Sequence, residues 1–407
     1  MKIVCIGGGP AGLYFAISAK RRDAGHDITV IERDPPGATY GWGFVYRDNL
    51  LDTLYHNDCE SATKLRAASI LWQEQEIRMG DAETAYRSGY GYGLRRATLL
   101  EILGRRATEL GVAVQYRQDV EDLAEFADAD VIVGADGANS RVRQLYAEHF
   151  GTIVDTGANP YIWLGADKEF DRFVFDFQET PAGWVWCYAY PSSPGISTFV
   201  EECQQPTWEG LGHDTLGDED GVRMLEKIFS RTLDGHSLIS RSRGQPARWL
   251  HFTQVRNKRW VHDNVVLVGD AAHTTHFTIG SGTRQAMIDA IALAHSLHQH
   301  DDSVGAALRA YERGRQPRMR RAQAEARSSM AWYERLDRYT DRNAVELAVA
   351  MSNRHGALRP WKYQLHLATQ VMPFRMARRW YNSTRRFYRA RRRGEPMAVQ
   401  TSRPSAA

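Results

Sequence analysis

The sequence has 407 residues, 43% hydrophobic and 25% charged, the composition of a folded globular protein with a substantial core. Fifty-two Lys and Arg stand against 49 Asp and Glu, a formal charge of +3, so a disordered polyelectrolyte or collagen-like chain does not fit. Four cysteines (Cys5, Cys59, Cys187, Cys203), with no CxxC pair and no His-rich companion, give no support to a disulfide scaffold or a metal site. They fit reduced thiols in a cytoplasmic setting.

In chain order, Lys2–Ile6 reads as a buried, β-branched strand. The apolar run after Met1 imitates a secretory leader, but Gly7, Gly8, Gly9 and Pro10 break any helix there and make a tight turn. Leu13–Lys20 is helical in character, and Ile28–Ile31 is a second apolar strand closed by Glu32. Gly7, Gly9 and Gly12 thus form a G-x-G-x-x-G turn between strand and helix, with an acidic residue 20 positions after the last glycine. The first glycine makes the turn, the second lets a diphosphate approach the backbone, and the third lets helix and strand pack. The helix dipole and free N–H groups face the phosphates, and Glu32 can accept bonds from an adenosine ribose.

A second helix is expected from about Thr98 to Leu110, followed by a strand at Val112–Tyr116. Asp130–Val133 and Val265–Val268 are short buried strands that end in Gly134-Ala135-Asp136-Gly137 and Gly269-Asp270-Ala271-Ala272-His273. Gly280-Ser281-Gly282 then leads into a helix over Ala286–Leu297. Strands ending in Gly/Asp turns are what a nucleotide site at the carboxyl edge of a parallel sheet requires. Between them, Tyr161–Leu164, Phe173–Phe177, Gly183–Tyr190 and Ile196–Glu202 read as a mostly antiparallel sheet inserted into the nucleotide domain. Trp184, Trp186, Tyr188 and Tyr190 alternate, so they share one face, either a packing face or the wall of a flat-substrate pocket. Helix is expected over Ala322–Tyr339. Phe374–Arg393 carries Trp380, Tyr381, Phe387 and Tyr388 at a seven-residue repeat beneath many arginines. No run nears 20 uninterrupted apolar residues, so no membrane span is expected.

The three fingerprints together resemble the group A flavoprotein monooxygenases, the aromatic hydroxylases of the p-hydroxybenzoate hydroxylase fold. They are the N-terminal GxGxxG, the Asp136-Gly137 motif with Ser140 and Arg143, and the Gly269-Asp270 motif. Gly41-Trp42-Gly43-Phe44-Val45, Tyr161-Ile162-Trp163-Leu164-Gly165, Ser197–Cys203 and His276–Thr283 are similar to a subgroup acting on salicylyl-CoA, anthraniloyl-CoA and a violacein-pathway indole. His276-Phe277 stands where most group A enzymes have proline. The resemblance spans roughly residues 1–340.

It implies an α/β fold: a GxGxxG FAD-binding Rossmann-like domain, an inserted mostly antiparallel β-sheet substrate domain and C-terminal helices. Residues 1–68, 93–157 and 256–300 would form the FAD domain, and 69–92 and 158–255 the substrate domain. Residues 301–395 would be a helical region, and 396–407 a flexible tail. FAD would be held by Gly7, Gly9, Pro10, Ala11, Gly12, Glu32, Arg33, Arg96, Asp136, Asp270, Gly280, Gly282 and Thr283, with NADPH or NADH as transient reductant. The expected reaction inserts one oxygen from O2, through a flavin C4a-hydroperoxide, into an activated ring. The protein's part is to position that ring and exclude water. A CoA thioester such as salicylyl-CoA, hydroxylated at position 5, is the leading substrate; an indole-type or carrier-tethered aryl group is the alternative. Trp42, Tyr46, Trp163, Tyr188 and Phe277 are expected to line the substrate pocket. His276 is the candidate to bond or deprotonate a substrate hydroxyl. A flavin-dependent halogenase ranks lower, because Trp184-Val185-Trp186 begins its W-x-W-x-I-P signature but Cys187-Tyr188-Ala189 does not complete it.

Residues 354–393 hold 12 Lys and Arg and no Asp or Glu, leaving forty basic against forty-nine acidic residues elsewhere, a net charge of −9. This basic segment is read in three ways: a solvated or homodimer surface, a site for CoA phosphates or an acidic carrier protein, or a contact with nucleic acid or an anionic membrane. No groove-reading motif accompanies the arginines, so no nucleic-acid partner is expected.

Overall fold

The computed structural model describes residues 1–38, 41–80, 84–242, 245–354 and 360–396; the expected tail from 397 onward lies outside them. Lys2–Ile6 is a strand with four of its five residues buried. It runs parallel to Asp27–Glu32 on one side and Val131–Gly134 on the other. Val265–Leu267 and Ala113–Tyr116 extend the sheet in parallel, and Val261–His262 closes one edge antiparallel. Helix Pro10–Arg22 packs against this sheet and against helix Gly282–Gln299, burying every residue from Ala11 to Ala19. The carboxyl ends of the first strand, Val131–Gly134 and Val265–Leu267 therefore lie side by side, which gathers the three glycine-containing turns at one edge.

A nine-stranded sheet forms the second layer. Its path runs Leu238–Ile239, Thr152–Ala166, Ile196–Cys203, Gly183–Ser193, Phe173–Thr180, Ile70–Met79, Ala85–Arg95 and Gly43–Tyr46. Leu250–Asn257 pairs with Thr152–Ala166 off that path. All its pairings are antiparallel except that of Ile70–Met79 with Phe173–Thr180. The alternating aromatics do share a face. Trp186, Tyr188 and Tyr190 are buried there beside Tyr333 and helix Ala344–Asn353, and Trp184 packs on the same cluster. Val185, Cys187 and Ala189 point the other way, onto Leu225, Phe229 and Leu233.

The expected helix over Ala322–Tyr339 is part of a longer one, Val304–Tyr333, followed by a 3-10 turn at Leu336–Tyr339. Pro317 sits inside it, where it removes one backbone donor. Buried Arg315 and Met319 on either side hold the helix through that gap.

Helix Met372–Arg392 turns Arg375 and Arg389 toward the body of the chain and its aromatics outward, while Arg378, Arg379, Arg385, Arg391 and Arg392 stay exposed. Arg375 is buried, reaches Glu74 at 3.3 Å and lies 3.4 Å above the ring of Tyr86. Arg389 and Arg393 meet Asp48 and Asp52, and Arg393 also meets Glu395. Trp380 is 72% exposed, and Tyr381, Phe387 and Tyr388 are exposed beside it. The reason is electrostatic. The rest of the chain is acidic, and Glu74 and Asp48 are buried carboxylates that need cations. The basic segment thus has a partner that none of the three sequence readings named, the body of its own chain.

Glu74→Gln should leave Arg375 buried and unpaired. The expected cost lies at the low end of ~3–5 kcal/mol, because Arg379, the other cation near Glu74, is largely exposed. The check is a lowered thermal midpoint together with faster trypsin cleavage within residues 375–393; unchanged cleavage would contradict this anchoring.

Candidate active site

The site begins at the turn after the first strand. Gly7 has φ +111°, and a Cβ there would lie 2.4 Å from the Ala135 carbonyl oxygen. A Cβ at Gly12 would lie 2.0 Å from the Gly7 oxygen, so both positions require glycine. A Cβ at Gly9 would meet nothing within 4 Å: that side of the turn faces open space. Gly9 is also the N-cap of helix Pro10–Arg22 and supplies no side-chain cap, leaving the first N–H groups to an external anion. Glu32 is fixed by two backbone donors, Gly8 N–H to Oε2 at 2.7 Å and Asp34 N–H to Oε1 at 2.8 Å. Arg33 follows it, exposed at the end of the strand.

Asp136 accepts the backbone N–H groups of Arg141 (2.6 Å) and Val142 (3.1 Å) through Oδ2, while its buried Oδ1 has no partner. Burial raises its pKa against the pull of those bonds. Arg143 ties this turn to the next by donating to the carbonyls of Ala138 and Ala271.

Asp270 follows strand Val265–Leu267. Its side chain is solvent-accessible, yet burial is the largest influence on its pKa and raises it, with His273 and Arg96 pulling the other way. A group both accessible and surrounded lies on the floor of a cleft. Arg96 opens helix Arg96–Glu109, with its N–H on the Trp42 carbonyl at 3.0 Å and its buried Nε unpartnered. Asp270 Oδ1 lies 4.0 Å from the Cβ position of Gly282, where helix Gly282–Gln299 starts, again without a side-chain cap; Thr283 follows in its first turn. Gly280 has φ +58° and is exposed.

Behind this turn lies a buried network that was not singled out in the sequence. Asp289 accepts from His273 Nε2 (2.6 Å), the Gly269 N–H (3.1 Å) and Arg315 Nε (2.7 Å). Burial pushes the Asp289 carboxyl up, but His273 and Arg315 outweigh it and hold it below the usual carboxylate range.

The pocket candidates separate by burial. Trp163 and Phe277 are half-exposed, as is Tyr161, whose ring lies 4.7 Å from that of Phe277. Tyr161 is the period-2 neighbour of Trp163, a signal the sequence carried. Trp42 is buried against the backbone of Gly165, and Tyr46 is buried in the main core with its hydroxyl on Ser69 Oγ. Tyr188 is buried too, donating to Glu202 at 2.7 Å. Glu202 also takes Asn159 and sits opposite Tyr161 in register; burial lifts its pKa to about 7. His276 is 4% exposed, edge-on to Phe252 and tilted against Phe277, with Nδ1 2.9 Å from Thr278 Oγ1. Burial lowers its pKa from 6.5 to about 3, so it is neutral at physiological pH.

Two uncapped helix N-termini, the open face of Gly9, the unpartnered Nε of Arg96 and Oδ1 of Asp136, and the cleft around Asp270 fit an elongated dinucleotide. Among the described residues no cluster of metal-ligating side chains occurs, and no helix is long and apolar enough to cross a membrane.

The architecture is that of an FAD-dependent aromatic monooxygenase. The chain belongs to the family described as FAD binding domain, whose model matches residues 83–326. It is 38% identical over 348 residues to a salicyloyl-CoA 5-hydroxylase from a Streptomyces species, covering 83% of this chain and 66% of that protein, slightly under two thirds of its length. It is 36% identical to 3-hydroxy-4-methyl-anthranilyl-(aryl-carrier protein) 5-monooxygenase of Streptosporangium sibiricum, with 83% and 90% covered. Protodeoxyviolaceinate monooxygenase of Chromobacterium violaceum is 28% identical, with 88% and 96% covered. Among solved structures, tetrameric 2-methyl-3-hydroxypyridine-5-carboxylic acid oxygenase superposes with a TM-score of 0.64 at 21% identity, covering 86% of this chain and 93% of that one. The complex of CtdE with FAD and a substrate gives 0.68 at 15%, covering 97% and 100%. FAD is therefore the cofactor, reduced by NAD(P)H as is typical of the family.

Gly9→Val should fold, because no atom of the described residues lies within 4 Å of its Cβ position, yet bind FAD at least about tenfold more weakly. Circular dichroism and flavin fluorescence titration read the two effects. His276 makes a separate prediction. The unfolded imidazole takes a proton below 6.5 that the folded one refuses until about 3, so stability falls on acidification through that window. His276→Gln should flatten this acid limb, by at most about 1.4 kcal/mol per pH unit, in denaturant titrations.

Proposed function

We propose that this chain hydroxylates an activated aromatic ring carried as a CoA thioester, with salicylyl-CoA, oxidised at position 5, as its substrate. The observation that carries the reading is the half-exposed wall of Tyr161, Trp163 and Phe277 next to the cleft around Asp270. Such a wall stacks on a flat ring and keeps water from it. Relatedness to the salicyloyl-CoA enzyme supports the thioester.

Bound flavin supplies the redox chemistry that activates O2. The chain's own residues bind and orient. The turn of Gly7, Gly9, Pro10, Ala11 and Gly12 takes the diphosphate, Glu32 the ribose hydroxyls with Arg33 beside it, and Arg96, Asp136 and Asp270 the remaining length of the cofactor. Gly280, Gly282 and Thr283 leave room and free N–H groups beside the flavin ring. Neutral His276 offers a hydrogen bond toward the substrate side without adding charge. A carrier-tethered aryl group is the second reading, favoured by the 36% identical relative that acts on one.

NAD(P)H oxidation is to be measured against salicylyl-CoA, anthraniloyl-CoA, a carrier-bound aryl thioester and an indole-derived substrate, with product mass. Salicylyl-CoA should give the largest stimulation and one added oxygen atom. Stimulated oxidation that yields only hydrogen peroxide with every CoA ester would overturn the thioester reading.

A further inference from the structure

Most of the buried or half-buried arginines discussed above have a carboxylate partner: Arg315 has Asp289, Arg375 has Glu74, Arg393 has Asp48. Arg96 and Arg143 at the cofactor turns do not, and neither do three arginines away from those turns. Arg47, Arg87 and Arg354 come from distant parts of the chain, and none forms an ion pair among the described residues. Arg47 is the N-cap of helix Asp48–Asn57, directly after the strand whose Val45 Cγ2 lies 3.4 Å from the Cβ position of Gly280. Arg87 lies on strand Ala85–Arg95, pairs in register with Gln75, and points away from the face where Ser88 meets the terminal helix. Arg354 is the C-cap of helix Ala344–Asn353, which packs on that strand. Its guanidinium donates to Ser329 Oγ (2.8 Å), the Met351 carbonyl (2.6 Å) and the Thr278 carbonyl (3.1 Å), and lies over the Tyr333 ring.

The geometry brings the three toward one region: Arg354 bonds the Thr278 carbonyl, two residues from the Gly280 that Val45 beside Arg47 approaches, and its helix packs on the strand that carries Arg87. Arg47 is exposed and the other two half-exposed, yet burial is the largest influence on Arg47 and Arg87 and lowers both pKa values. The charge of Arg354 lowers both further. Arg87, down at about 10, is still protonated at neutral pH. Accessible and surrounded, as with Asp270, is the description of a concave floor. A basic pocket without internal counter-ions is unfavourable in the free protein and becomes favourable when an anion enters.

We propose that Arg47, Arg87 and Arg354 form a binding site for a diphosphate, that of the CoA carrier of the substrate. Three guanidinium groups exceed what one carboxylate on an aromatic ring can neutralise, whereas a diphosphate carries several charges and suits their forked donors. The FAD diphosphate is accounted for elsewhere, at the uncapped helix on the six-stranded sheet. Arg87 and Arg354 stand on the nine-stranded sheet and the helix covering it, and Arg354 bonds the loop that carries Phe277. The site would therefore hold the carrier while its aryl end reaches the aromatic wall. The choice of carrier rests on the thioester reading above. The nicotinamide dinucleotide is the other source of a diphosphate.

The test uses FAD-loaded wild type, Arg47→Gln and Arg87→Gln, with flavin content and thermal midpoint as controls. Free CoA binding by calorimetry should weaken at least about tenfold in each variant. The KM for salicylyl-CoA should rise in parallel, while KM for NADPH and for phosphate-free salicylyl-pantetheine stays unchanged. Equal CoA binding by all three proteins overturns the proposal, and a rise confined to NADPH reassigns the site to the nicotinamide dinucleotide and overturns it as stated. CoA binding needs no turnover. If it behaves as expected while no thioester is hydroxylated, the substrate reading fails and the diphosphate site stands.

Discussion

The carboxylate of Asp289 is wholly enclosed, and everything at the cofactor edge is referred to it. It stands on helix Gly282–Gln299 and receives the N–H of Gly269, the imidazole of His273 and the guanidinium of Arg315 from helix Val304–Tyr333. One buried anion therefore fixes the turn bearing Asp270 to the two helices behind it. An isolated charge in that position would be costly, and three donors on two oxygens make it tenable. The turn is held rigidly from behind, which leaves the carboxylate of Asp270 free to face the cleft.

The second organising constraint is the nine-stranded sheet, which is apolar on both faces. Most antiparallel sheets bury one face, but here helices cover each side. The face nearest the cofactor turn carries aromatics, and along strand Thr152–Ala166 that surface passes from core to cleft. Tyr188 and Trp186 are sealed within it, whereas Tyr161 and Trp163 keep accessible area. The accessible wall continues the core, so its rings are positioned by packing and not by loops.

Much of this was legible in the sequence because the signals were local. The glycine spacing, the apolar strands and the alternation from Trp184 to Tyr190 each fall within a dozen residues, and period and turn chemistry decide them. What the sequence withheld depends on distance along the chain. Asp289 looked like any helical aspartate until His273 and Arg315 were brought against it. Glu202 became a carboxylate with a raised pKa only through its burial in the folded sheet, against which the bonds from Asn159 and Tyr188 pull. Arg47 and Arg354 stand more than three hundred residues apart with Arg87 between them, and no spacing rule joins the three. Burial too was hidden: Tyr46 and Trp163 read alike in the sequence, but cross-strand neighbours enclose the first far more than the second.

The terminal helix has a consequence for how the molecule comes apart. Arg389 and Arg393 each touch Asp48 and Asp52, so the last helix among the described residues is clasped to helix Asp48–Asn57. The same aspartate receives the hydroxyls of Tyr90 and Tyr92 and directly follows Arg47. The covalent path thus closes on itself through a charged clasp. The two clasped segments do not loosen independently, because freeing either releases the same aspartate. Partial unfolding should then join residues near 48 and near 390 in one cooperative unit.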